Sequence, residues 1–260
     1  MPSQHVVITG GSSGLGAALA AAYVVRGHRV SLIARDVTRL ETVADDCHRR
    51  SGMRPGCHSC DVTEGARLGE ILSALDAEAP ITTLFANAGM GGSSVLAGAN
   101  GESRDQASRI VEVNLLGVVN TLTPIIPMMA SRQSGRLAIV ASIAAFTPMA
   151  EAPVYAASKA AVYSYGHGLR RLLAARGVAV TIISPGFIDT PMSRSLPYNR
   201  PFLISPERAA ELIVGAVHRG RPNIVFPWQL RLATAFEGVL PPAMSDRLVA
   251  AISRYNQRPA

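Results

Sequence analysis

Segments of strand and helix character alternate along this chain from His5 to Phe226, and that alternation leaves few folds open. Short, mostly β-branched runs at His5–Thr9, Val30–Ala34, Gly56–Cys60, Thr82–Ala86, Arg136–Ala141, Val178–Ile183 and Asn223–Phe226 read as strands. In Gly14–Arg26, Leu15, Leu19, Ala22, Tyr23 and Arg26 recur at helical spacing, and Gly27 closes the helix. Thr38–Arg50, Ala66–Ala79, Ser103–Met129, Val154–Arg176 and Ser205–His218 read as further helices; Pro80 ends one, and Pro124 and Pro127 fall late in another. Strand–helix–strand repeats demand right-handed crossovers, hence a mostly parallel sheet with helices on both faces. The expected unit is one three-layer α/β/α domain over residues 1–226, with residues 227–260 as a C-terminal helical extension packed on it.

Size and composition agree with that. A chain of 260 residues buries roughly three-quarters of its unfolded surface and needs no staple. Apolar runs such as Val118–Ala130 are interrupted by Asn120, Thr121, Pro124 and Pro127, short of the ~20 apolar residues a membrane span requires. The N-terminus enters a strand almost at once without signal-peptide character, so a cytoplasmic location is expected. The net charge of +7 suits anionic ligands. Its arginines are scattered without a dense basic block, so no nucleic-acid partner is expected. Cys57-His58-Ser59-Cys60 has C-x-x-C spacing, but one such pair beside Cys47 is better read as reduced structural thiols; no metal site is expected.

Function enters at the first βα junction, Thr9-Gly10-Gly11-Ser12-Ser13-Gly14-Leu15-Gly16. Glycines there allow a tight turn and close approach of a pyrophosphate, whose charge the free N–H groups and dipole of the following helix bind. The spacing is G-x-x-x-G-x-G; neither G-x-G-x-x-G nor the G-x-x-x-x-G-K of phosphate-cradling NTPases is present. Further on, Tyr155 and Lys159 stand at i and i+4, which puts both on one face of a helix.

With this loop and pair in order with Asp61-Val62, Asn87-Ala88-Gly89, Asn114, Ser142 and Pro185-Gly186, the chain resembles the short-chain dehydrogenase/reductase family from residue 5 to about 226. The resemblance implies a Rossmann-like doubly wound parallel sheet and an oxidoreductase acting on CH–OH/C=O groups with a nicotinamide cofactor. It implies cofactor contacts from Gly10, Ser12, Ser13, Gly14, Leu15, Gly16, Asp61, Val62, Asn87, Ala88, Gly89, Pro185, Gly186, Ile188 and Thr190, and a homodimer or homotetramer built on Asn114–Met129 and Val154–Arg176. Ala86 and Ala141 replace an Asn and a Ser common in the family, both at non-catalytic positions.

The resemblance makes Tyr155 the general acid/base. A phenol titrates near 10, and a nearby ammonium lowers that value; this is the role implied for Lys159, which also holds the nicotinamide ribose. Ser142 is implied to donate to the substrate oxygen, and Asn114 to hold a water that links Lys159 to solvent. The competing hydrolytic chemistry lacks its G-x-S-x-G elbow. A non-catalytic, nucleotide-binding regulatory relative is the alternative, but such relatives commonly lose Tyr or Lys.

Charge decides the expected cofactor. An NAD loop ends its second strand in an acid that holds the ribose 2′-OH. Here that place is Ala34, followed by Arg35, whose guanidinium suits a 2′-phosphate. NADP(H) is therefore expected over NAD(H), unless Asp36 does the work one residue late. Phe146, Met149, Phe187, Met192, Leu196, Tyr198, Phe202 and Leu203 point to a small hydrophobic substrate of lipid, steroid or polyketide type, and Leu32-Ile33-Ala34-Arg35-Asp36 is similar to reductases of long-chain keto-lipids. Trp228–Leu240 carries an apolar helical stripe and Asp246–Tyr255 reads as a second amphipathic helix. Packing on the body or a subunit is expected for this tail ahead of peripheral membrane contact.

Overall fold

The computed structural model describes residues 4–91, 101–147, 149, 152–196, 199–237 and 244, with only backbone for 233–237. Among the described residues, seven strands form one parallel sheet: β1 His5–Thr9, β2 Arg29–Ala34, β3 Gly56–Ser59, β4 Thr83–Ala86, β5 Gly135–Val140, β6 Val178–Pro185 and β7 Asn223–Phe226. Their order is β3-β2-β1-β4-β5-β6-β7. Sequence direction reverses between β1 and β4, where Ile8 pairs with both Leu32 and Phe85. In an open α/β sheet a crevice forms outside the carboxyl ends of the strands at that switch point.

Alternate residues of each strand face opposite layers. Val6, Ile8, Leu32 and Phe85 pack with helices α1 (Gly14–Val24), α2 (Val37–Ser51) and Pro206–His218. Val7, Ile33 and Leu84 pack on the other face with α3 (Gly65–Glu78), Gly117–Leu122 and Pro153–Leu173. Burial on both faces is why these strands read as continuous apolar runs in the sequence.

The helix expected over Ser103–Met129 is divided. It runs as α4 (Arg104–Val111), a π turn (Glu112–Leu116), α5 (Gly117–Leu122) and, after a turn, α6 (Ile126–Ser131). Pro124 and Pro127 lack the N–H that would continue it, and Pro127 lies in the first turn of α6. Arg104–Ser131 nevertheless meets the length and mean hydropathy for crossing a membrane, contrary to the sequence expectation, because averaging hides its polar breaks; 39% of its most apolar window is buried in the fold.

Further α-helices among the described residues include α7 (Pro153–Leu173), α8 (Pro191–Arg194), α9 (Pro206–His218) and α10 (Trp228–Glu237). The segment Asp246–Tyr255 and residues 238–240 of the expected tail helix lie outside the described residues, as does Tyr198. Burial pushes the Cys47 thiol up to about 11 and raises Cys57 and Cys60, which suits inert thiols.

Candidate active site

The glycine loop is shaped by contacts that leave no room for side chains. Gly10 has φ +69 and Gly14 φ +52, the left-handed region that favours glycine. A Cβ on Gly16 would lie 2.2 Å from the Gly10 carbonyl oxygen, so only glycine lets the first turn of α1 come this close to the loop. Asn87 Nδ2 donates to the carbonyls of Thr9 (2.9 Å) and Gly10 (3.3 Å), and Thr9 Oγ1 donates to Phe85 O (3.1 Å), which ties the loop to the end of β4. Ala88 completes the floor, its Cα 2.8 Å from a Cβ placed on Gly10. Ser13 is the N-cap of α1, yet its side chain makes no capping bond to that helix; Leu15 and Gly16 are buried and Ser12 half-buried. With no side-chain cap, the first amides of α1 are left to bind an anion.

At the end of β2, Arg35 extends into solvent with 71% of its side chain exposed, 3.8 Å from Asp61 Oδ2. Asp36 is the N-cap of α2: its carboxylate accepts from the Arg39 amide (3.0 Å) and pairs with Arg39 Nε (3.2 Å). The acid that would have served NAD one residue late is therefore engaged in capping. Asp61 accepts from Arg109 Nη2 (2.6 Å) and from the Thr63 amide and hydroxyl (3.0 and 2.9 Å). Burial alone would raise its carboxyl; the Thr63 amide, Arg109 and the Thr63 hydroxyl reverse that and hold it below the usual carboxylate range. Val62 O accepts from Asn120 Nδ2 (2.9 Å).

Asn114 lies in the π turn, fully buried. Its Oδ1 accepts from the Met90 amide (2.8 Å), and its Nδ2 donates to Met90 O (3.0 Å) and Ser158 Oγ (3.2 Å). Both ends of the Asn114 side-chain amide are thus committed to Met90 and Ser158. Lys159, 4% exposed, donates from Nζ to Val140 O (3.1 Å), and burial lowers its ammonium to about 8. That Nζ stands 6.0 Å from the centre of the Tyr155 ring. Tyr155 is half-buried by surface but closely surrounded; burial raises its phenol, and a hydrogen bond with Ser142 works against that rise. The lowering by Lys159 expected from sequence is not the dominant effect in this geometry. Ser142 follows β5 in extended conformation, its Oγ also accepting from the Ala144 amide (3.1 Å).

The segment after β6 completes the crevice. Gly186 lies under Leu230 and Pro227, within 2.6 and 3.0 Å of a Cβ placed on it. Ile188 has its side chain in the core, so only its backbone can address a ligand. Thr190 caps α8 and rests against the loop, its Cγ2 3.0 Å from a Cβ placed on Gly14. Among the apolar residues expected to cover a substrate, Met192, Phe202 and Leu203 are exposed, joined by Trp228 (65%) and Leu232 (60%) of α10; Phe146 instead packs edge-on against Tyr163 at 4.7 Å. Sequence reasoning missed Arg109 and Ser158. The helical spacing of Ser158 from Tyr155, whose carbonyl its hydroxyl reaches at 2.7 Å, is the one signal that pointed to it.

Known proteins are similar to this chain in sequence and in fold. A protein-family model described as short chain dehydrogenase matches residues 4–200. An oxidoreductase of Myxococcus xanthus is 34% identical over 247 residues, 95% of this chain and 96% of that one. The fold is shared with a short-chain dehydrogenase from Sphingobium yanoikuyae solved in complex with NADPH (TM-score 0.77, 23% identity, 99% of this chain and 96% of that one). It is shared also with the bulky-bulky ketone specific alcohol dehydrogenase from Comamonas testosteroni (TM-score 0.76, 21% identity, 100% and 96%).

Proposed function

The chain belongs to the short-chain dehydrogenase family, and from that premise we propose that it is an NADP(H)-dependent reductase of hydrophobic ketones, with Tyr155 as the proton donor. The observation that carries this reading is the buried Lys159 Nζ 6.0 Å from the centre of the Tyr155 ring, with Ser142 acting to hold the Tyr155 phenol down against the rise that burial causes.

The residues fit the cofactor. The uncapped α1 N-terminus and the space kept clear by Gly10, Gly14 and Gly16 suit a pyrophosphate. Exposed Arg35, with Asp36 committed to its helix, favours a 2′-phosphate over a bare ribose; the Sphingobium relative was solved with NADPH. When bound, NADPH supplies the hydride. Tyr155 gives its hydroxyl proton to the carbonyl oxygen as that oxygen gains charge, and Ser142 positions the oxygen by hydrogen bonding. Burial keeps the Tyr155 phenol protonated near neutrality, the form a general acid needs. Lys159, at about 8, is mostly an ammonium at pH 7 and stabilises the phenolate left behind. Asn114 anchors Met90 and Ser158 and so holds this turn of α7.

Exposed apolar Met192, Phe202, Leu203 and Trp228, on the segments that follow β6 and β7, suit a bulky hydrocarbon substrate, and the Comamonas relative is specific for bulky ketones. Exposed Val111, Leu116 and Leu172 on α4, the π turn and α7 support self-association through these helices. The test is NADPH oxidation with a panel of ketones graded from acetone to long alkyl and diaryl ketones. Turnover that grows with apolar bulk is expected; no turnover with any ketone, or a preference for keto-sugars, contradicts the reading.

A further inference from the structure

Helix α7, which carries Tyr155, begins without a cap of its own. Its N-cap residue is Ala152, whose methyl cannot accept a hydrogen bond, and Pro153 opens its first turn without an N–H. The amides of Val154 and Tyr155, the two that an N-cap Ser or Asp would satisfy, need another partner. They find it far away in sequence: Glu102 Oε2 accepts from Val154 N (3.3 Å) and Glu102 Oε1 from Tyr155 N (3.1 Å). The two carboxylate oxygens thus take both orphan donors, and their charge stands at the positive end of the helix dipole.

The neighbours of Glu102 strengthen the grip. Ser103 caps α4 through a capping box with Gln106, so one dipeptide caps two helices. Gly101 takes φ +70 and abuts Pro153, its would-be Cβ 3.7 Å from the proline Cγ. At the other end of α4, Asn114 donates to Ser158 Oγ, and that hydroxyl donates to Tyr155 O. The N–H of Tyr155 is therefore held by Glu102 just before α4, and its C=O by Ser158, whose hydroxyl is in turn bonded by Asn114 just after α4.

We propose that Glu102 is a positioning residue for Tyr155, acting as the N-cap of the helix across 53 residues of sequence. The proposal rests on the reading of Tyr155 as proton donor. A cap of this kind fixes the first turn and with it the phenol; without it the turn frays and the hydroxyl samples positions away from the substrate oxygen.

Glu102→Ala, Glu102→Gln and the double variant Glu102→Ala with Ala152→Ser test it in the full chain. Amide hydrogen exchange at Val154 and Tyr155 should quicken about tenfold in Glu102→Ala, and less in Glu102→Gln, which keeps one acceptor. It should return toward wild type in the double variant, where the new hydroxyl at the N-cap position supplies a local cap. With the panel ketone that wild type reduces fastest, kcat should fall about tenfold in Glu102→Ala while NADPH Kd stays within about twofold. Unchanged exchange overturns the cap, and an unchanged kcat in an enzyme that turns over overturns the positioning role. Undiminished turnover by Tyr155→Phe would instead sink the reading of Tyr155 itself and leave the exchange result standing.

Discussion

Asn114 Oδ1 and Lys159 Nζ converge on one point: a Cβ on Gly89 would lie 3.3 Å from the first and 3.4 Å from the second. Glycine at 89 is therefore what allows the buried amide and the buried ammonium to share this space. Gly89→Ala forces one of them aside, and displacement of a catalytic group by a few tenths of an ångström is costly. The expected result is a kcat reduced about tenfold with NADPH Kd little changed; wild-type kcat would show that the spacing has slack.

Burial disfavours the charged form of Lys159, and this costs stability. Its value falls from 10.5 unfolded to about 8 folded, so between pH 8 and 10.5 the unfolded chain binds more protons and stability rises with pH. Lys159→Met removes that penalty. Stability at pH 7 should rise by on the order of 1–3 kcal/mol, less whatever the lost bond to Val140 O contributes, while turnover disappears. Urea denaturation at pH 7 and pH 10 checks both: the gain should shrink at the higher pH, and a variant less stable at both contradicts the account.

Arg35 and Asp36 are adjacent but do different work. Arg35→Ala should raise the KM for NADPH about tenfold or more and leave that for NADH unaltered. Asp36→Ala should cost about 1 kcal/mol of stability through the lost cap of α2 without changing the NADPH-to-NADH preference. Kinetics with both cofactors decide it; a preference that moves with Asp36 instead would reassign the ribose contact.

Arg109 holds Asp61 beside Arg35. The folded carboxyl of Asp61 is depressed, so it contributes stability above its unfolded pKa of about 4, and that contribution is lost as pH falls. Arg109→Met should thus be less stable than wild type at pH 7, by on the order of 1 kcal/mol, and the gap should narrow as pH falls below about 4. Thermal unfolding across this range tests the sign: a gap that widens in acid would be inconsistent with the ion pair.

The sheet was legible in the sequence because parallel strands buried on both faces appear as apolar runs, and each observed strand edge falls within two residues of its expected place. The glycine loop was legible because a backbone that must approach a helix start admits only glycine at 16. The π turn was not, since nothing in the residue types of Glu112–Leu116 marks a wider turn within the expected helix. Arg109 and Glu102 were invisible for another reason: their partners lie 48 and 53 residues away, and only the crossover geometry brings them together. The Asn114 side chain illustrates the limit on roles, for its position was readable and its commitment to Met90 and Ser158 was not.

The most direct test of the account is Tyr155→Phe, with NADPH affinity measured by fluorescence titration and turnover on the best panel ketone. The ring and its packing survive and only the phenol hydroxyl is lost. The account predicts an NADPH Kd within about twofold of wild type and a kcat at least about a thousandfold lower, the scale of a lost general acid. A kcat within tenfold of wild type would contradict it.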